Sequence, residues 1–315
     1  MKLTKLSWQE YKELFINNYH IYNSVEFLLL NQSKCESIDF LSFDKDNIPI
    51  FGIVLGIIQN SCYSPFSSPF GGFSSIKNNV SIEDLESAIY LMTEYYIKEK
   101  KDKINITLSP IFYNEDFISK TINCLYRLNY RISKIDLNYT LSKDKFQNEV
   151  DYLKIIKRNA KKNLNRAKSS NFVFNKCAGL EEIKEAYQVI ALNRRHKGYP
   201  LKMSFNQVIE TIKVVNADFF LLKLQNENVA ASMVFHINKE IVQIIYWGDK
   251  PGFEDKRPMN LLSLEIFKYY FNNGIKYIDI GPSSENSIPN TGLCSFKESI
   301  GASSNPKFSF VYNIK

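Results

Sequence analysis

The chain has 315 residues, 44% hydrophobic, 14% aromatic and 23% charged, with few glycines and prolines and a net charge of +7; this suits two ordinary cores and excludes extended disorder or a collagen-like repeat. The basic N-terminus lacks the apolar stretch of a signal peptide, and the strongest apolar run, 48–58, is too short for a bilayer and contains Gly52 and Gly56, so the expectation is a cytoplasmic protein without a transmembrane segment. Five scattered cysteines without a CxxC pair, and only His20, His196 and His236, point to reduced thiols and no metal site.

In chain order, Trp8–Phe15 has helical spacing, Ser24–Leu30 reads as a second helix or turn, and a strand is expected near Ile38–Ser42. A polar turn at Asp44–Asn47 precedes a buried strand at Ile48–Ile58, then a long aromatic loop from Ser61 to Phe73 of the kind that lines a site. Ser81 starts a helix that runs to about Lys100 on Leu85, Ala88, Ile89 and Met92. Ile104, Ile106 and Leu108 alternate as a strand ending at Ser109-Pro110; a helix near Glu115–Leu128 and a strand near Ile132–Leu141 complete a first half.

The second half repeats this order. Met203–Lys213 reads as helix, Phe219–Leu224 and Val229–Ile237 as a hairpin, and Ile241–Trp247 as a strand. After a loop from Gly248 to Arg257, Pro258 starts a helix on Leu261, Leu262, Leu264, Phe267 and Phe271 that stops at Gly274, and Tyr277–Ile280 is the next strand. Sliding the chain by 172 places sets Ile89–Pro110 over Leu261–Pro282. The fold class expected is therefore α/β with mixed sheets, duplicated, with domains at 1–148 and 149–315.

Between Asp151 and Ser170, seven basic residues, Lys154, Lys157, Arg158, Lys161, Lys162, Arg166 and Lys168, face one acid. Such a surface either receives a polyanion or is a solvated helix face. A loop leading into a helix N-terminus is an anion receptor because the first N–H groups lack partners. Lys250, Lys256 and Arg257 precede that helix and Asn260 lies in its first turn, so Lys256, Arg257 and Asn260 are expected to bind a charged cofactor or, in the plainer reading, are solvated loop residues. Asp279, at the end of an internal strand, is placed to accept a proton or to cap the Gly281-Pro282 turn. Tyr246 and Trp247 either flank a ligand or fill the core. His196, among Arg194, Arg195 and Lys197, is either a general base or a surface histidine.

The basic segment with Arg158, Asn159, Lys162, Arg166 and Ala167, the strand Ile278-Asp279-Ile280, the Phe296-Lys297 pair before Gly301, and the Pro-Phe-Gly-Gly-Phe loop at 69–73 resemble the FemAB-like tandem GNAT acyltransferases. By order of elements the resemblance spans about two thirds of the chain, and the missing helical insertion between Met203 and Asp218 matches compact members. It implies an acyl- or aminoacyl-transferase that uses acyl-CoA or aminoacyl-tRNA as donor, without a metal, and an amine on a cell-wall or glycan precursor or another small molecule as acceptor. Lys297 and Asp279 would be catalytic, with Arg158, Lys162, Arg166, His196, Tyr246, Trp247 and Phe296 binding substrate. Lys297 would stabilise the oxyanion, or else be an exposed helix lysine. The loop from Trp247 to Leu261 lacks the GNAT pyrophosphate signature, which favours a donor such as aminoacyl-tRNA over acetyl-CoA. The competing class is a non-catalytic binding protein on a degenerate GNAT fold, holding RNA, a nucleotide-sugar or anionic lipid on the basic helix.

Overall fold

The computed structural model describes residues 1–16, 20–77 and 79–314. They form two compact units: Met1–Leu137 with Asn286–Ile288 and Asn305–Lys315, and Asn138–Glu285 with Pro289–Ser304. The elements in the first stretch are β1 (Lys2–Leu6), α1 (Trp8–Leu14), α2 (Val25–Leu30), β2 (Ser37–Lys45), β3 (Ile48–Ile58), β4 (Ser61–Ser64), β5 (Ser74–Ser75), α3 (Ile82–Lys98), β6 (Lys103–Thr107), α4 (Glu115–Arg127) and β7 (Arg131–Ser142). There follow α5 (Glu149–Ile155), α6 (Arg158–Lys168), β8 (Val173–Lys176), α7 (Leu180–His196), α8 (Phe205–Ile212), β9 (Ala217–Leu224), β10 (Glu227–His236) and β11 (Ile241–Asp249). The chain ends with α9 (Pro258–Asn272), β12 (Tyr277–Pro282), the short β13 (Ser284–Glu285) and β14 (Ile288–Pro289), α10 (Thr291–Ser299) and β15 (Ser303–Asn313).

Within the first unit β1, β2, β3 and β4 pair antiparallel in turn, β4 runs parallel to β6, and β6 pairs antiparallel with β15. Within the second, β8, β9, β10 and β11 form the same meander, β11 runs parallel to β12, and β12 pairs antiparallel with the end of β7. The crossover into the parallel strand is α3 in one unit and α9 in the other, so the wiring suggested by the 172-residue offset occurs twice. The fold is α/β, with a mixed sheet and helices in each unit.

Local chemistry explains the crossovers. The Ser81 hydroxyl accepts from the Asp84 amide at 3.2 Å to cap α3, whose buried stripe is Leu85, Ala88, Ile89, Met92, Thr93 and Tyr96. Pro258 takes the first position of α9, which buries Leu261, Leu262, Leu264, Ile266, Phe267, Tyr270 and Phe271.

The basic segment is not one helix. The chain is extended at Ile156 and Lys157, where α5 ends and α6 begins, and the Lys157 amide donates to the Ser299 carbonyl at 3.0 Å. Ile156 is buried there, so packing and that bond together hold the break.

A buried ionic group ties β8, β9, β10 and α9. Asp218 receives His236 Nε2 at 2.7 Å, the Tyr270 hydroxyl at 2.8 Å and Lys176 Nζ at 2.6 Å. Burial alone would raise its pKa, but the three donors outweigh it and hold the carboxyl down to about 2. A depressed carboxylate stabilises the fold above its unfolded pKa and loses that contribution as pH falls through the folded value. Asp218→Asn is therefore expected to lose about 2 kcal/mol more at pH 7 than at pH 2, read from urea midpoints at both pH values; a pH-independent deficit would contradict the charge argument.

Candidate functional site

In the second unit β11 and β12 are joined by three parallel pairs, Ile241–Tyr277, Val242–Ile278 and Gln243–Asp279, and the ladder ends there. Beyond that point β11 keeps pairing with β10 as far as Asp249, through a register shift that sets Tyr246 opposite Met233 and Ile244 opposite Val234. On the other side β12 also skips register, between Asp279 and Pro282. Two neighbouring strands thus part at their C-terminal ends, the side on which open α/β sheets place ligands.

Polar residues from distant strands meet where they part. Asp279 is fully buried; its Oδ1 accepts from Asn138 Nδ2 at 2.7 Å and from the Gly281 amide at 2.8 Å, and its Oδ2 from Gln243 Nε2 at 2.7 Å. Gly281 has φ 74°, a conformation only glycine takes without strain, so the turn directs the Gly281 and Pro282 carbonyls together. Lys297 of α10 closes on them, with Nζ 2.8 Å from Gly281 O and 3.0 Å from Pro282 O. Only 2% of Lys297 is exposed, so it is not a solvated helix lysine. Burial pushes its amine down to about 8, against the pull of Asp279 and Cys294 toward the charged form. The amine stands 5.6 Å from the Tyr139 ring centroid. Glu298 is engaged elsewhere, by Lys157 Nζ at 3.0 Å and by the Tyr139 hydroxyl at 3.1 Å. Phe296 contacts Trp247 edge-on, ring centroids 6.0 Å apart. The turn ends in Ser283, whose hydroxyl is buried and has no hydrogen-bond partner among the described residues.

No family model and no curated protein sequence matches the chain. Among solved structures, FemX superposes with a TM-score of 0.72 at 13% identity, covering 99% of this chain and 97% of that one. The chain has the fold of FemX. Two further structures agree. L-PGS from Bacillus licheniformis gives a TM-score of 0.61 at 14% identity, covering 98% of this chain and 91% of its own. A tandem GNAT protein from the clavulanic acid biosynthesis pathway gives 0.55 at 8% identity, covering 100% and 98%. At these identities the likeness is one of fold.

On this FemX-like frame the remaining sequence-named residues separate. Trp247 and Tyr246 are successive strand residues and point to opposite faces: Trp247 meets Phe296, whereas Tyr246 lies 5.6 Å under the Arg194 guanidinium of α7. His196 is exposed at the end of α7. Gly248 packs so closely on Asn193 that an added Cβ would come within 2.5 Å of its side chain, while Asn193 Nδ2 holds the Asp249 carbonyl at 2.6 Å; these contacts fix the exit of β11.

Helix α6 buries Ala160, Leu164 and Ala167 and turns Arg158, Lys162 and Arg166 to solvent. Arg166 pairs with Asp255 at 3.7 Å, which places α6 beside the loop holding Lys256 and Arg257. Arg257 adopts the left-handed conformation at the start of α9, where no side chain among the described residues caps the helix, and Asn260 is buried in the first turn.

Among the described residues no cluster of three or more His, Cys, Asp or Glu is arranged to hold a metal ion, and no helix is long and apolar enough to cross a membrane. Burial pushes the thiols of Cys62 and Cys177 up to about 12 and that of Cys124 to about 11, which leaves them little thiolate for nucleophilic work.

The exposed basic face is testable by itself. Changing Arg158, Lys162 and Arg166 together to Glu should weaken binding of an unfractionated tRNA probe and lower the slope of log affinity against log salt by about 2 to 3. An unchanged slope would return α6 to the role of a solvated surface.

Proposed function

We propose that this protein is an acyl- or aminoacyl-transferase that moves an acyl group from an anionic carrier, acyl-CoA or aminoacyl-tRNA, to an amine on a cytoplasmic cell-wall (peptidoglycan) or glycan precursor or another small molecule. The observation that carries this reading is the buried Lys297 ammonium, fixed by two carbonyls where two parallel strands part on an acyltransferase fold. In the reaction the acceptor nitrogen bonds to the acyl carbon as the carrier's C–O or C–S bond breaks. The proton lost by the amine ends on the released hydroxyl or thiol, and negative charge gathers on the carbonyl oxygen in between. A preorganised cation in a dry site stabilises that charge strongly.

Lys297 is assigned this role. Asp279, its oxygens engaged by Asn138, Gln243 and Gly281, is assigned to the turn that presents Lys297, which its contacts support better than proton acceptance. Lys256, Arg257 and Asn260 would hold the carrier's phosphate at the start of α9, flanked by Arg158, Lys162 and Arg166. Trp247 and Phe296 would line the acyl path, with Tyr246 and His196 farther along the acceptor side. The halves 1–148 and 149–315 are proposed as the two GNAT-like domains.

The test is transfer to amine acceptors from panels of aminoacyl-tRNA and acyl-CoA donors. Wild-type turnover that disappears in Lys297→Met supports the assignment. The exposed basic face of α6 favours a second reading, a degenerate binding protein that holds RNA, a nucleotide-sugar or anionic lipid; salt-sensitive binding with no turnover from any donor would select it.

A further inference from the structure

The two units share their wiring but differ where their parallel strands end. In the second unit β11 and β12 part after Gln243–Asp279, leaving two strand edges between which an extended carrier arm can make backbone hydrogen bonds. In the first unit the corresponding pair is β4 and β6, joined at Cys62–Ile104, Tyr63–Asn105 and Ser64–Ile106. There the chain leaves β4 at Pro65, turns, and comes back: Gly71 forms a parallel bridge to Leu108, and its amide donates to the Thr107 carbonyl at 2.9 Å. The returning segment makes the hydrogen bonds that a guest strand would make.

It is held from several directions. The Gly72 amide donates to Ser64 Oγ at 3.0 Å, Asn23 Nδ2 donates to the Gly72 carbonyl at 3.1 Å, and Lys307 Nζ donates to the Pro69 carbonyl at 3.3 Å. Phe70 and Phe73 are each 1% exposed, and the Phe70 ring packs edge-on against His20 and Tyr22 at 5.0 Å and Tyr113 at 4.8 Å. No space remains at the bridge: a Cβ on Gly71 would lie 2.8 Å from Ser64 Oγ and 2.9 Å from the Pro65 nitrogen.

We infer that residues 65–73 fill, in the first unit, the cleft that the carrier enters in the second, so that one chain takes one carrier and takes it at the second unit alone. This rests on the transferase reading above. Coenzyme A and unfractionated aminoacyl-tRNA are titrated separately into the full chain by calorimetry, and amide hydrogen exchange is followed at Gly71 and Gly72. The expected result is one equivalent of whichever probe binds, weakened about tenfold or more by Lys256→Glu with Arg257→Glu. The Gly71 and Gly72 amides should exchange at least about a hundredfold more slowly than in an unstructured peptide, with or without probe. Two equivalents per chain, or rapid exchange at Gly71 and Gly72, would overturn the inference. Binding of neither probe would overturn the transferase reading, while slow exchange at the two glycines would still establish that the first cleft is filled by its own chain.

Discussion

Lys297→Met is expected to lower turnover by about 10²- to 10³-fold while carrier affinity stays within about twofold, because the ammonium acts on charge that exists only in the transition state. Its environment adds a pH signature. Burial holds the amine near 8, so the charged fraction, and with it the rate, should decline as pH rises through about 8, and the Met variant should lack this limb. The stability linkage has the opposite sense. The folded pKa lies below the ordinary lysine value of 10.5, so between about 8 and 10.5 the unfolded chain binds the extra proton and stability due to this group rises with pH. The difference in unfolding free energy between wild type and Lys297→Met should shift toward wild type by about 3 kcal/mol from pH 7 to pH 10.5. Measured kcat and urea midpoints across that range decide both points, and a Met variant at wild-type turnover would remove Lys297 from the chemistry.

Asp279→Ala is expected to cost about 3 to 5 kcal/mol of unfolding free energy, the range for taking one partner from a buried charged group. The Asn138 and Gln243 amides and the Gly281 N–H would lose this acceptor in a buried site. Asp279→Asn, which keeps the size but turns an NH₂ toward some of the same donors, should fall between Ala and wild type. Asp279 also pulls Lys297 toward its charged form, so the Asn variant should move the alkaline limb of the rate below pH 8 while keeping measurable turnover at pH 7. Complete loss of turnover in a folded Asn variant would favour proton acceptance, and an Ala variant of wild-type stability would break the account of the cluster.

How much of this was legible in the sequence depends on the range of the forces involved. The strand Ile48–Ile58 is found at the expected residues and α3 starts after its expected cap Ser81, because apolar patterning and capping are local. The helix Leu180–His196 has no place among the expected elements, although Glu181 and Glu182 in its first turn, three basic residues in its last, and Ala186, Val189, Ile190 and Asn193 on one face were a readable signal. The break between α5 and α6 was not readable, since it depends on a hydrogen bond to Ser299. The Lys297 cradle was half readable. Lys297 and Asp279 followed from the family resemblance, whereas Asn138 and Gln243, which fix Asp279, come from strands far away in the chain. Gln243 alone carries a local mark, an amide side chain within the apolar run Ile241–Trp247, a pattern that deserves a partner wherever it occurs, whereas Asn138 sits in a strand already rich in polar residues.

The last strand has a consequence for biogenesis. β15 pairs with β6 through Ser309–Thr107, Phe310–Ile106, Val311–Asn105, Tyr312–Ile104 and Asn313–Lys103, so a nascent chain that has emitted the whole first stretch still has a bare β6 edge. That edge stays open until residues 303–313 leave the ribosome, and vectorial, N-terminal-first maturation cannot finish the first sheet. A premature stop just before Ser303 would therefore damage a sheet whose other strands are made about two hundred residues earlier, leaving the β6 edge exposed to chaperones or to self-association.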